Sequence, residues 1–322
     1  MAAKAAAHAA RSHFRIRTSL GSFAAGLCLF AMPATSSTAI AAQVSGAASP
    51  APSVNANLNI TPKRLTFSRG QRSATAYIYN QGNAPAAFDI SIGDSVMLPS
   101  GEIQPLKDAV QHPEYAATIS RLRSAKDFLI ATPRRAVLAP GKGQTIRIRL
   151  TAPPDANAAE YRAHLTVSTV PPRSVGVTAE QAAAAEQSNQ LSFQVTSVFG
   201  VSIPVIVRSG LPDVRAHIAR VELTYPMVAT DPSKPAVRTP MLLVSLQRDG
   251  ANSLFGNLEV RGKGKVLLGI ARGVGVYPEI DSRLIYVPIQ RPPAAGEALE
   301  ISFVDDDTSP GRVIARTNFV GS

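Results

Sequence analysis

The stretch that decides the fold is "LSFQVTSVFGVSIPVIVR", residues 191–208. Leu191, Phe193, Val195, Phe199, Val201, Ile203, Val205 and Val207 share one parity; Ser192, Gln194, Thr196, Ser202 and Arg208 fall on the other. Alternation with period two marks a strand with one buried face. Strands usually run about 5–6 residues. One this long raises the question of what covers its first half.

Upstream of it lies "PPRSVGVTAEQAAAAEQSNQ", residues 171–190. Hairpin loops usually need about 2–5 residues, so this segment reads as a long loop of the kind that carries function. Downstream, "SGLPD" at 209–213 reads as a linker. Further upstream, "LNITPKRLTF" puts Leu58 and Ile60 on one parity and Leu65 and Phe67 on the other, with the break at Thr61 and Pro62. Proline in a strand points to an edge or a bulge, so this strand is expected to kink and change sheet. "SATAYIYN" (73–80), "AAFDISI" (86–92), "QTIRIRLTA" (144–152) and "AHLTVSTV" (163–170) follow as strands, and 113–126 is the one short helix expected in this half. The rest repeats the pattern with "AHIARVELTY", "MLLVSLQ", "GNLEVRG", "KVLLGIARGV", "RLIYVPI" and "ALEISFV". An all-β chain of two sandwiches in tandem, at 57–208 and 214–322, is the economical reading.

The first 41 residues read as a secretory signal. Lys4, Arg11, Arg15 and Arg17 form a basic leader without an acid, "SFAAGLCLFAM" is a short apolar core, and "AIA" at 39–41 supplies small residues for cleavage between Ala41 and Ala42. Residues 42–56, small and polar with Pro and Gly, read as a flexible lead-in. Cys28, the single cysteine, lies in the leader. The mature chain therefore has no disulfide, thiolate chemistry or cysteine metal site available.

The chain carries a net charge of +11, and residues 42–322 hold 29 basic and 22 acidic side chains. Along the sequence the basic residues are dispersed, apart from "RGKGK" at 261–265, and there is no Trp. A nucleic-acid protein concentrates its cations and interleaves aromatics, so nucleic acid is not expected as a partner. Membrane insertion after cleavage is not expected either. The histidines of the mature chain, His112, His164 and His217, are far apart, and His164 sits on the polar parity of its strand, where solvent exposure is expected. "APGKGQT" lacks the phosphate-loop spacing and precedes a strand, "GVGVYP" ends in Pro where a dinucleotide loop needs Gly, and no Gly-x-Ser-x-Gly elbow occurs. No enzyme, cofactor or metal site is expected.

The ordered combination of "ITPKRLTF", "FLIATPRRAVLAPGKGQTIRIRL", "VPPRS", "IPVIVR" and "FVDDDTSPGR" resembles the periplasmic chaperones that assemble pili or fimbriae by the chaperone–usher pathway. The chain looks like a divergent member of that family. The resemblance implies two immunoglobulin-like domains set in an L, with a subunit-binding cleft between them. It also implies an answer to the opening question. The second half of the long strand belongs to the chaperone's own sheet, and the first half, with Leu191, Phe193, Val195 and Phe199, is lent to a pilus subunit that lacks a strand. An outer-membrane usher would receive the subunit. By the same resemblance Arg64 corresponds to a cleft arginine that holds the subunit's terminal carboxylate. Glu160, Arg208 and an aspartate of the 305–307 run, Asp306 being preferred, correspond to a charged triad joining the domains. Taken without the family, each is an ordinary surface charge, and an exposed pair contributes only about 0–1 kcal/mol. The family's second anchoring lysine is replaced here by Pro204. The competing function is a structural or adhesive two-sandwich surface protein, which would keep its strand edges protected.

Overall fold

The computed structural model describes residues 57–152, 159–171, 198–229, 231 and 233–321. The leader, the lead-in and the donor candidates Leu191, Phe193 and Val195 lie outside the described residues.

The first half runs through β1 (Leu58–Thr61), β2 (Leu65–Phe67), β3 (Ser73–Asn80), β4 (Ala86–Gly93), β5 (Ser95–Met97), β6 (Ile103–Pro105), β7 (Leu129–Thr132), β8 (Arg135–Leu138), β9 (Gly143–Leu150), β10 (Glu160–Thr169) and β11 (Gly200–Arg208). Two sheets, ordered β1-β3-β9-β7 and β2-β11-β10-β4-β8, face each other. The alternating side chains read from the sequence fill the space between them: Ile78, Ile146, Ile148, Leu165, Val167, Ile203, Val205 and Val207 are all buried there. Of the crossings between these sheets, those from β1 to β2 and from β7 to β8 each run through a Thr-Pro pair with a cis peptide bond, Thr61–Pro62 and Thr132–Pro133. The break expected at Pro62 is therefore a change of sheet.

The second half contains β12 (Ala216–Thr224), β13 (Met227–Val228), β14 (Val237–Arg238), β15 (Met241–Arg248), β16 (Leu254–Arg261), β17 (Leu267–Val276), β18 (Ser282–Pro288), β19 (Ala298–Asp305) and β20 (Val313–Val320). Its sheets are β12-β15-β18 and β17-β16-β19-β20, closed over a core that includes Leu242, Leu246, Leu254, Val276 and Phe303. The architecture is two immunoglobulin-like β-sandwiches, and both belong to one compact unit.

The segment between β4 and β7 departs from the sequence expectation. A single helix over 113–126 was expected. Instead there are α1 (Leu106–Ala109), a 3-10 turn at Pro113–Tyr115 and α2 (Ala116–Ile119), preceded by the β5–β6 hairpin. No stretch here is long enough to present an apolar stripe, so the segment folds as single turns around Val96, Leu98 and Ala109, with Tyr115 and Ile119 packed against them. From this segment Met97 enters the core of the second sandwich, where its sulfur accepts a bond from Tyr277 N at 3.5 Å. Arg121 binds Asp281 of the second sandwich with both guanidinium nitrogens, at 2.6 and 2.9 Å.

Candidate functional site

The site begins with the two faces of β10 and β11. Their odd-numbered residues fill the first core. Their even-numbered residues would face solvent in an isolated sandwich, and from the sequence that is what polar Glu160, Arg162, His164 and Arg208 suggest. The structure corrects this: all four are 5% exposed or less. The part of the even face that carries Glu160, Arg162, Ile206 and Arg208 is covered by the second sandwich. Ile206, on that face, is fully buried in the second core, a burial that contributes about 1.5–3 kcal/mol.

Polar groups moved out of water must find partners, and here they find them across the junction. Glu160 and Arg208 stand opposite each other in the β10–β11 ladder. Arg208 Nε donates to Glu160 Oε2 at 3.0 Å, and Arg208 Nη2 donates to Asp307 Oδ2 of the second sandwich at 2.7 Å. Glu160 Oε2 also accepts from Ser253 N at 3.2 Å and Asn252 Nδ2 at 3.3 Å. The aspartate of this cluster is Asp307, not Asp306. Asp305, buried, uses its carboxylate to hold the turn, accepting from Asp307 N and Ser309 N. That turn aims Asp307 at the junction and leaves Asp306 exposed.

Arg64 also joins this cluster. Its Nη2 donates to Asp307 Oδ2 and to Ser253 Oγ, both at 3.0 Å. Its guanidinium carbon lies 4.9 Å from the centre of the Phe255 ring. The carboxylate that Arg64 holds is therefore an internal one. Burial alone would raise the Asp307 carboxyl, but Arg64 and Arg208 outweigh it and hold the group below the usual range. For Arg208 burial works against the charge, and Glu160 and Asp307 more than restore it.

A second cluster, absent from the sequence reading, lies alongside. Arg162 pairs with Glu279, both almost fully buried, and its guanidinium carbon lies 4.2 Å from the centre of the Tyr277 ring. Arg162 Nη1 donates to a ring nitrogen of His164 at 3.3 Å, which requires a free lone pair on the imidazole. Burial, then the charges of Arg162 and Arg64, lower His164 to about 3, and burial lowers Arg162 to about 10. Three arginines face three carboxylates across the two clusters. Nothing in the sequence separates these side chains from solvated ones, because only the second sandwich buries them.

The other feature is the edge of β11. On one side the whole strand pairs with β10, from Gly200 opposite Ser168 to Arg208 opposite Glu160. On the other side β2 pairs in parallel with Val205, Ile206 and Val207 only. Residues 200–204 thus have no strand on their outer side among the described residues. Pro204 lies in that half, where a residue without an N–H is tolerated. Just before it, Val198 and Phe199 are 59% and 56% exposed. A groove of about 1060 Å³ lies over the face of β4, β10 and β11, lined by Thr166, Ser168 and Ser202 and by Ile103 and Val110, with Val198 at its margin. Among the described residues no group of three or more His, Cys, Asp or Glu side chains converges as a metal site, and no helix is long and apolar enough to cross a membrane.

The fold and site define a protein of two immunoglobulin-like sandwiches locked through a buried polar junction, with one strand edge left open beside exposed apolar side chains. In sequence the chain resembles fimbrial chaperones: it is 33% identical over 108 residues to the chaperone protein FimB/FhaD of Bordetella pertussis. That match spans 34% of this chain and 36% of the relative, so about a third of the relative's length is covered. Similar solved structures include the Pseudomonas aeruginosa CupB2 chaperone, at 13% identity and TM-score 0.40, covering 82% of this chain and 100% of that one. Another is the Escherichia coli chaperone DraB, at 12% identity and TM-score 0.38, covering 83% and 97%. No known family profile matches the chain.

Proposed function

We propose that this protein is a non-catalytic periplasmic chaperone that captures pilus subunits by strand addition and passes them to an outer-membrane usher. The observation that supports this best is the open edge of β11 at 200–204. A strand laid along such an edge gains main-chain hydrogen bonds, and alternate side chains supply specificity; chaperone–pilin complementation is one instance of this mode. Exposed Phe199 continues the parity of Leu191, Phe193 and Val195, which are the proposed donor side chains. Filling a subunit groove with those three contributes roughly 1.5–3 kcal/mol each, about 5–9 kcal/mol before association costs. Export follows the leader, with cleavage near Ala41 and Ala42. Glu160, Arg208 and Asp307 set the second sandwich against the first, and Arg64 belongs to that junction.

The test is co-expression with a fimbrial subunit, reading both the recovered complex and the thermal unfolding of the free chaperone. Phe193→Asp should abolish capture and leave unfolding unchanged, while Gln194→Ser, on the opposite parity, should alter neither capture nor unfolding. Unfolding of the free protein by Phe193→Asp would make that side chain core. Capture at the normal level would remove the strand as the binding element.

A further inference from the structure

The basic residues that look scattered in sequence are gathered by the fold. The segments 57–80 and 129–152, which carry all four strands of the β1-β3-β9-β7 sheet together with β2 and β8, contain nine Lys and Arg and no Asp or Glu. The remainder of 42–322 holds 20 basic and 22 acidic residues, so the charge excess of that region comes entirely from this part. Arg64 is spent at the junction and Arg135 is paired with Asp89. On the outer face of the sheet, Arg147 and Arg149 stand on β9 opposite Thr75 and Ser73 of β3, beside Tyr77, which is 45% exposed. Lys63 reaches the same face, bonding Asn59 Oδ1 of β1 at 2.7 Å. Arg72 and Lys142 sit next to the ends of β3 and β9. All five are exposed, and among the described residues none has a carboxylate partner.

We propose that this face is a docking surface for an anionic lipid bilayer, touching phosphate headgroups without inserting. Its shape favours lipid over an acidic protein. Protein interfaces have apolar centres depleted of charge, whereas Arg147 and Arg149 occupy the middle of this sheet. Four strands about 4.8 Å apart make a broad, shallow plane. Its cations are spread over the plane and converge on no pocket. Mobile headgroups can match such a pattern; fixed carboxylates would have to be placed to fit it. Arginine forks bind phosphate oxygens in pairs, and tyrosine is a side chain enriched at the membrane–water boundary.

The experiment is co-sedimentation of the mature protein with vesicles of phosphatidylglycerol and phosphatidylcholine, against phosphatidylcholine alone, at low and high salt. Wild type should bind the anionic vesicles, release from them at high salt, and ignore the zwitterionic ones. Each cation near an anionic surface strengthens binding by about fivefold, so Arg147→Gln with Arg149→Gln should weaken partitioning about 25-fold. The same charge change in the second sandwich, Lys263→Gln with Arg272→Gln, should have little effect. Subunit capture by the Arg147/Arg149 variant should be unchanged, which separates this surface from the β11 edge. Equal binding to zwitterionic vesicles, or equal loss in both double variants, would overturn the proposal. So would tighter binding to polyglutamate or to an oligonucleotide than to the anionic vesicles.

Discussion

Arg208→Ala measures how deeply the junction is buried. The side chain is 5% exposed, and its partners Glu160 and Asp307 are 1% and 10% exposed. Truncation leaves two carboxylates in a low-dielectric space with one cation fewer. Breaking a buried pair costs about 3–5 kcal/mol. Glu160 keeps its bonds from Ser253 N and Asn252, and Asp307 keeps Arg64, which places the loss at the lower end, about 3 kcal/mol. As a surface pair, the sequence expectation, the loss would be about 0–1 kcal/mol. Urea unfolding of wild type, Arg208→Ala, Asp307→Ala and the double variant gives both the single losses and their coupling. A coupling of about 1–3 kcal/mol is expected for groups in direct contact. Asp306→Ala is the internal control and should stay within about 0.5 kcal/mol of wild type. A loss below 1 kcal/mol for Arg208→Ala, or no coupling to Asp307, would show that the junction is wet and that its charges are ordinary ones.

Acid should weaken the fold well above the range in which carboxylates titrate. Folded His164 is held at about 3, while an unfolded imidazole titrates near 6.5. As pH falls from about 6.5 towards 3 the unfolded chain takes up a proton that the folded chain refuses, so stability is full above this window and declines through it, by about 2 kcal/mol at pH 5. His164→Asn should flatten that part of the pH profile of unfolding, and an unchanged slope between pH 6.5 and 4.5 would refute the assignment. Asp307 acts lower: its depressed carboxyl supports the fold above the unfolded value of about 3.9 and stops doing so as pH falls further. Met97→Ala, which removes a side chain from the second core, should cost about 2–5 kcal/mol by urea unfolding; a neutral result would mean that the 95–105 hairpin does not tie the sandwiches together.

Local pattern carried much of the fold. The alternation at 144–150 and at 201–207 matches β9 and β11, and β3 begins and ends where the sequence places it, because period-two burial is written into neighbouring residues. Thr61 and Pro62 announced a change of sheet for the same local reason. The three-residue strands of the 95–105 hairpin were too short to show any period. The site was less legible. Glu160, Arg162 and His164 alternate with apolar residues as an exposed edge of polarity would, and they are buried only because a second sandwich, more than 80 residues further on, lies against them. Asp306 and Asp307 are equivalent as text; the turn held by Asp305 aims one inward and the other at water. The cations of one charged face are separated along the chain by the whole of β4, β5 and β6 and meet through the pairing of β3 with β9. Which face a side chain occupies is a short-range property, but what lies opposite that face depends on contacts between distant segments.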